Sequence, residues 1–271
     1  MTRQEMEAKL ASGNRDLMGM DMPEADLKRS SLVEADLRGS DLRKADLRGS
    51  DLTGANIKLS HMTDADLRRV CFRMADLSCT DLRCANLEGA DLTGARLMGT
   101  NLGGAKLMGA NLEGATLRVA SLEATSLKGA CLMGANLMEA NLNGANLMGA
   151  NLKMADLKGT ELMWANLEGA NLRGANLSGA HLDGANLERV CLTGANLEGA
   201  NLEGGEPRWG QYGWGDGSSL PRSRARDRQL HRMEEAGERH DREAQDPGGR
   251  EADRQLRGNE VQGKQGGGTG G

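Results

Sequence analysis

A large apolar side chain stands at every fifth position from Leu17 to Leu202 without a slip: Leu17, Met22, Leu27, Leu32, Leu37 and onward to Leu192, Leu197 and Leu202. These are 38 consecutive positions, of which only Met22, Ile57, Met62 and Phe72 are not Leu. A helix repeats its faces every 3.6 residues and a strand every two, so neither alone collects these side chains on one buried surface. A short fixed period of another length marks a solenoid, in which small units bury a face only by stacking on one another.

The residues around each centre define the unit. Two positions before it the occupant is small from residue 25 to residue 200, mostly Ala, with Ser30, Ser40, Ser50 and Ser60 alternating with Ala near the start. A site that is never large or charged points into a tight interior. Centre and small site therefore both face inward, and strand alternation turns the residue between them outward. That outward site is Asp or Asn in most units, such as Asp36, Asp41 and Asp46 early and Asn136, Asn141 and Asn146 late. Two positions after the centre, Gly fills 22 of the 38 units. Gly there signals a turn whose third residue needs positive φ, as in type II. Each unit is then a short extended stretch and one corner.

The pattern A-[D/N]-L-x-G, as in ANLEGA at 85–90, ANLMGA at 145–150 and ANLEGA at 195–200, resembles the pentapeptide-repeat family over some 190 of the 271 residues. The resemblance implies an all-β fold, a right-handed quadrilateral β-helix with four units per coil. The early Ser alternation agrees, because stacking by 20 keeps Ser30 under Ser50 and Ser40 under Ser60, although a ten-residue duplication alone would give the same alternation. On this reading the solenoid has 9–10 coils and, at a strand spacing of about 4.8 Å, a length of about 45 Å. Its core includes Leu87, Leu107, Leu112, Leu147 and Leu167.

Four segments follow. Residues 1–15 form a helical lead-in, with Thr2 as N-cap, Glu5 three residues on, Met6 and Leu10 on one face and Gly13 ending the turn. Residues 16–204 are the solenoid. Residues 205–214 carry Trp209, Tyr212 and Trp214 just after the last centre, Leu202, and Pro207 breaks the strand pattern before them. These aromatics are expected to lie over the open last coil as a lid or to form a dimer contact. Residues 215–271 are rich in Arg, Glu, Asp, Gln and Gly, with too few apolar residues for a core, and are expected to be disordered.

Aromatics are only 2% of the chain, so Leu, Ala and Met must fill the core. No apolar run approaches the roughly 18 residues that cross a bilayer, so no membrane association is expected. The opening MTRQEMEAKLASGNRD has no apolar h-region, and the five cysteines lack CxxC spacing, which together point to a reducing cytoplasmic setting.

Chemistry-bearing side chains are kept apart by the period. His61 and His181 would lie six coils, about 29 Å, apart in one column, too far for a shared metal or a catalytic relay. Cys71, Cys131 and Cys191 would recur every three coils, about 14 Å, beyond disulfide reach. Cys79 and Cys84 read as substituted corners. The glycines are corners too, not a phosphate cradle. No catalytic, metal or cofactor site is assigned, and no enzyme activity is expected.

The surface says more. Asp26 with Lys28, Asp46 with Arg48, and Asp66 with Arg68 would form an acidic ladder beside a basic one, a self-neutralised solvated face. Later the same columns turn to Asn and to Met or Glu, and Asn can stack without repulsion. Met98, Met108, Met133, Met138, Met148 and Met163 occupy the outward site after the centre, and Trp164 replaces a corner Gly beside Met163. Met surfaces suit adaptable binding. Trp164, Met163, Met148 and Met108 are the candidate partner-binding residues.

The expected role is a structural or scaffolding solenoid that binds another protein. The family resemblance also implies an alternative, a DNA mimic that inhibits or protects a type II topoisomerase. Residues 16–204 hold 25 acidic and 19 basic residues, whereas B-DNA of that length carries about 26 charges, so the mimicry is weak. Direct nucleic-acid binding through RSRARDR at 222–228 is not expected, since acids follow at once and no aromatic is interleaved. Effectors delivered to host cells also occur in the family, but no delivery signal is evident here.

Overall fold

The computed structural model describes residues 3–204. Helix α1 (Arg3–Ala11) opens the chain and buries Met6 fully, with Leu10 packed at the edge of the core. It ends in a Schellman closure: the Gly13 N–H donates to the Leu10 carbonyl at 3.0 Å, the Asn14 N–H donates to the Lys9 carbonyl at 3.0 Å, and Gly13 takes φ +84°. The cap expected at Thr2, the lid or dimer contact at Trp209, Tyr212 and Trp214, and the tail 215–271 all lie outside the described residues.

From Asp16 onward every outward residue before a centre bridges, in parallel, the residue 20 positions later, from Asp16 with Asp36 to His181 with Asn201. Twenty residues is four units, so each coil has four sides. The register that the serines left open is thereby fixed. The bridges are isolated single-residue pairs, and none extends into a regular strand. A turn every five residues breaks each side before a longer ladder can form. The expectation of a short extended stretch per unit thus narrows to one bridging residue flanked by ladder hydrogen bonds.

Hydrogen bonding accounts for all five backbone N–H groups of a unit. In the unit centred on Leu37, Asp36 donates back to Arg15, Leu37 donates forward to Asn56, Gly39 donates forward to Lys58, and Ser40 closes the turn onto the Leu37 carbonyl, at 2.8, 2.7, 2.9 and 3.1 Å. The fifth, the N–H of Arg38, is taken by the Asp36 side chain at 3.2 Å. The same closure recurs at Asn111 with Glu113 and at Asn146 with Met148. Asp and Asn recur at this site because a short side-chain oxygen satisfies the one donor that the coil leaves over. Asn ladders are the lesser use, as in Asn186 donating to Asn166 at 3.1 Å.

The centres fill the interior. Leu87, Leu107, Leu112 and Leu147 are wholly buried and Leu167 almost so. Most buried hydroxyls at the small site donate to the carbonyl of the centre 23 residues back, as Ser50 does to Leu27 and Ser60 to Leu37, each at 2.7 Å, whereas Thr160 donates to Leu157 within its own turn. Ser30 would need a centre at position 7, which belongs to α1. Its hydroxyl is accordingly the one buried side-chain polar atom without a partner among the described residues.

Candidate interaction surface

With the interior closed by Leu and Ala, function is left to the outer columns and the corners. Two residues flank each buried centre on the same outer side, so Asp-Leu-Arg places a carboxylate beside a guanidinium. Asp36 with Arg38, Asp41 with Arg43, Asp46 with Arg48, Asp66 with Arg68 and Asp81 with Arg83 all form such pairs, with closest contacts of 2.6–2.7 Å. Coils are cross-linked as well: Lys28 reaches Asp46 at 3.2 Å and Arg48 reaches Asp66 at 3.4 Å. The hydrogen bonds from Arg48 hold the Asp46 carboxyl down at about 2, well below the usual carboxylate range. Asp36, Asp41, Asp66 and Asp81 are lowered by the same cause. The N-terminal half is thus a neutralised lattice of opposite charges.

All corners share one backbone state. The 16 corner residues that are not Gly, from Glu24 to Arg189, take φ between +50° and +60°, beside glycines at +63° to +70°. Each such residue is held where an L side chain is disfavoured by about 1 kcal/mol or more. Several are large and apolar: Leu59, Met74, Val119, Met154 and Trp164 are 51–74% exposed. The side chains of Met74, Met154 and Trp164 lean toward the following coil, onto the corner 20 residues later. A Cβ at Gly184 would lie 2.4 Å from the Trp164 ring, and one at Gly94 or Gly174 would lie 2.6 or 2.5 Å from the sulfur of Met74 or Met154. These glycines therefore serve two purposes, the turn and a seat for the neighbour above.

The sequence candidates fall into separate places. Met108 and Met148 share a column two coils apart with Lys128 between them, Met108 exposed and Met148 half-buried. Met163 belongs to a different column and donates its N–H to the Asn143 side chain at 2.9 Å. Trp164 occupies the corner between those two columns. Leu59, Met74, Val119 and Met154 were not singled out from the sequence, although reading the corner column at an interval of 20 finds each of them. His61 and His181 are exposed in one column, the five cysteines are free thiols, and no group of three His, Cys, Asp or Glu able to hold a metal ion occurs among the described residues. No helix among the described residues is long and apolar enough to cross a membrane.

The geometry defines a class: a solenoid of five-residue units, four to a coil, presenting its columns as a surface. A family model for pentapeptide repeats matches in eight copies over residues 21–58, 60–99, 100–137, 134–163 and 165–204. The chain belongs to the pentapeptide repeat family. Among solved structures it is similar to HetL, a pentapeptide repeat protein involved in heterocyst differentiation regulation from the cyanobacterium Nostoc sp. strain PCC 7120, with 34% identity, 81% of this chain and 100% of that chain covered, and a TM-score of 0.49. It is also similar to trypsin-treated QnrB1, a plasmid-mediated fluoroquinolone resistance protein, with 20% identity, 69% and 88% covered and a TM-score of 0.43. A pentapeptide repeat protein from the Arabidopsis thaliana thylakoid lumen is 30% identical, with 42% and 70% covered and a TM-score of 0.20. No curated protein matches the chain.

Proposed function

We propose that this protein is a non-catalytic scaffold that binds another protein through its outer columns and corners, in the reducing setting of the cytoplasm. The coil is taken as right-handed and quadrilateral, as in its family. The observation that carries the reading is the outward display of large apolar side chains at corners, led by Trp164, which is 74% exposed at φ +60°. Neither solubility nor backbone preference favours a Trp there. Burial against a partner does, since aromatic side chains set out from a surface are the usual energetic anchors of an interface. Catalysis has no comparable support among the described residues, where the register spaces His61 and His181 six coils apart.

Mimicry of DNA to protect or inhibit a type II topoisomerase is the second reading, and the fluoroquinolone resistance named for QnrB1 is what keeps it in view. The Asp–Arg pairs weigh against it by cancelling the acidic columns. The test uses the full chain as bait and compares it with Trp164→Gly, which restores the commonest corner residue and leaves the coil unstrained. Loss of a captured protein with the variant supports the scaffold. Equal capture removes Trp164 from the interface, and inhibition or protection of gyrase supercoiling would favour the mimic.

A further inference from the structure

A cleft of about 970 Å³ runs along one corner of the N-terminal half. Its cations are Arg3, Lys28, Arg29, Arg48, Arg68 and Arg69; Asp26 and Glu88 are its acids, and Met108 lies at its far end. Most of this charge is already used. Arg3 pairs with Glu7 and Asp26, Lys28 with Asp26 and Asp46, Arg48 with Asp46 and Asp66, and Arg68 with Asp66. Arg29 and Arg69 have no acidic partner among the described residues. Four corners in the solenoid carry a cation, and the other two are matched: Lys44 pairs with Glu24 at 3.4 Å, and Arg189 pairs with Glu168 and Glu188 at 3.8 and 3.9 Å.

Both unmatched arginines are exposed and stand in one corner column, at φ +54° and +56°. The corners that follow each of them are Gly49 and Gly89, over which their side chains lean, with Cγ 3.8 and 3.7 Å from where a Cβ would be. Two coils separate them, about 9.6 Å at the usual strand spacing. A polyproline II segment repeats its side after three residues at 3.1 Å each, about 9.3 Å. Two carboxylates three residues apart in such a segment therefore match the two guanidiniums. Three nucleotides of one DNA strand advance about 10.2 Å along the axis, which is close as well, so an oligonucleotide of equal charge is the control that separates the two.

We propose that this cleft binds an extended acidic peptide of a partner protein, with Arg29 and Arg69 each taking one carboxylate of a Glu-x-x-Glu spacing. The proposal rests on the scaffold reading and names a partner chemistry for it. Lys28, Arg48 and Arg68 remain with their aspartates and line the path, and Met108 offers an apolar contact beyond the acids.

The test is fluorescence anisotropy at low salt with the full chain and a labelled peptide containing Glu-Pro-Pro-Glu. Binding should weaken at least tenfold in R29G/R69G, which places the commonest corner residue at both positions and so preserves the fold, and should weaken likewise for Gln-Pro-Pro-Gln. A Glu-Pro-Glu peptide should bind more weakly than Glu-Pro-Pro-Glu. No binding, equal binding by the variant, or tighter binding of a single-stranded oligonucleotide of the same charge would overturn the proposal. If the full-chain bait still captures a protein and R29G/R69G captures it equally, the cleft falls and the scaffold reading stands.

Discussion

Replacing Gly184 by Ala separates the two purposes of a corner glycine. The backbone cost of Ala at φ +66° is about 1 kcal/mol. Gly144, two coils earlier in the same column at φ +65°, has nothing within 4 Å of its missing Cβ, and the corner before it is Ala124. Gly144→Ala should therefore show the backbone cost alone. At Gly184 the new methyl would lie 2.4 Å from Cε3 and Cζ3 of Trp164, so the indole must swing off its seat. The ring is largely exposed, and the movement forfeits a handful of carbon contacts at about 0.1–0.2 kcal/mol each, or about 0.5–1 kcal/mol together. Gly184→Ala should thus cost about 1.5–2 kcal/mol, falling to about 1 kcal/mol in a Trp164→Gly background, and the double-mutant cycle isolates the seat. Stability in stacked repeats is summed locally, so the readout should be local too. Far-UV circular dichroism during urea unfolding supplies the stabilities of all four proteins in the cycle; in the two that keep Trp164, with Trp209 and Trp214 replaced by Phe, it is the remaining tryptophan of three and its emission reports that corner. Equal costs at Gly184 and Gly144, with unchanged Trp164 emission, would refute the seat.

Leu112→Asp puts a carboxylate into a wholly buried site and should cost more than about 4 kcal/mol, seen as collapse of the thermal transition; a loss under about 1 kcal/mol would contradict the packed interior. Ser50→Ala removes both a donor to Leu27 and the acceptor of the Ser30 N–H and should cost about 1–3 kcal/mol by urea denaturation, whereas Ser30→Ala removes an orphan and should cost nothing or stabilise; the reverse order would sink the 23-residue rule. The Asp–Arg pairs depress their carboxyls in the folded state, so their stabilisation is present above the ordinary carboxylate value near 3.8 and is lost as pH falls toward about 2, the Asp46 value. Melting temperature should decline through that window, and less steeply in Asp46→Asn. A decline centred near pH 6 would point to other groups.

Much of this architecture is written in the period. Centres, small sites and corners are legible because each is a steric demand repeated in every unit. The coil of four is not, because its register is set by bridges 20 residues apart, and only the four early serines hint at that interval. The Asp/Asn preference is visible at once, yet its cause lies in a backbone donor that only the hydrogen-bond account exposes. Corners without Gly, such as Trp164 and Arg69, read as exceptions in the sequence. The coil on either side holds them in the same backbone state as their glycine neighbours, so they are positions where a side chain is displayed rather than places where the turn fails. The partner-binding candidates were scattered by the same register, which put Met163 and Met148 in different columns.

The equivalence of the four sides has a consequence for how such a chain can change. Every side offers the interior the same Leu and Ala, so removing one unit keeps the core filled. Everything downstream, however, is indexed a quarter turn round. Lys28 would no longer stand over Asp46, nor Trp164 over Gly184, if a unit were lost between the members of either pair. Removal of four units keeps the phase and only shortens the ladder. Length and aim are thus independent settings: multiples of 20 residues adjust the first, and single units rotate one half of the surface against the other while the interior registers no difference.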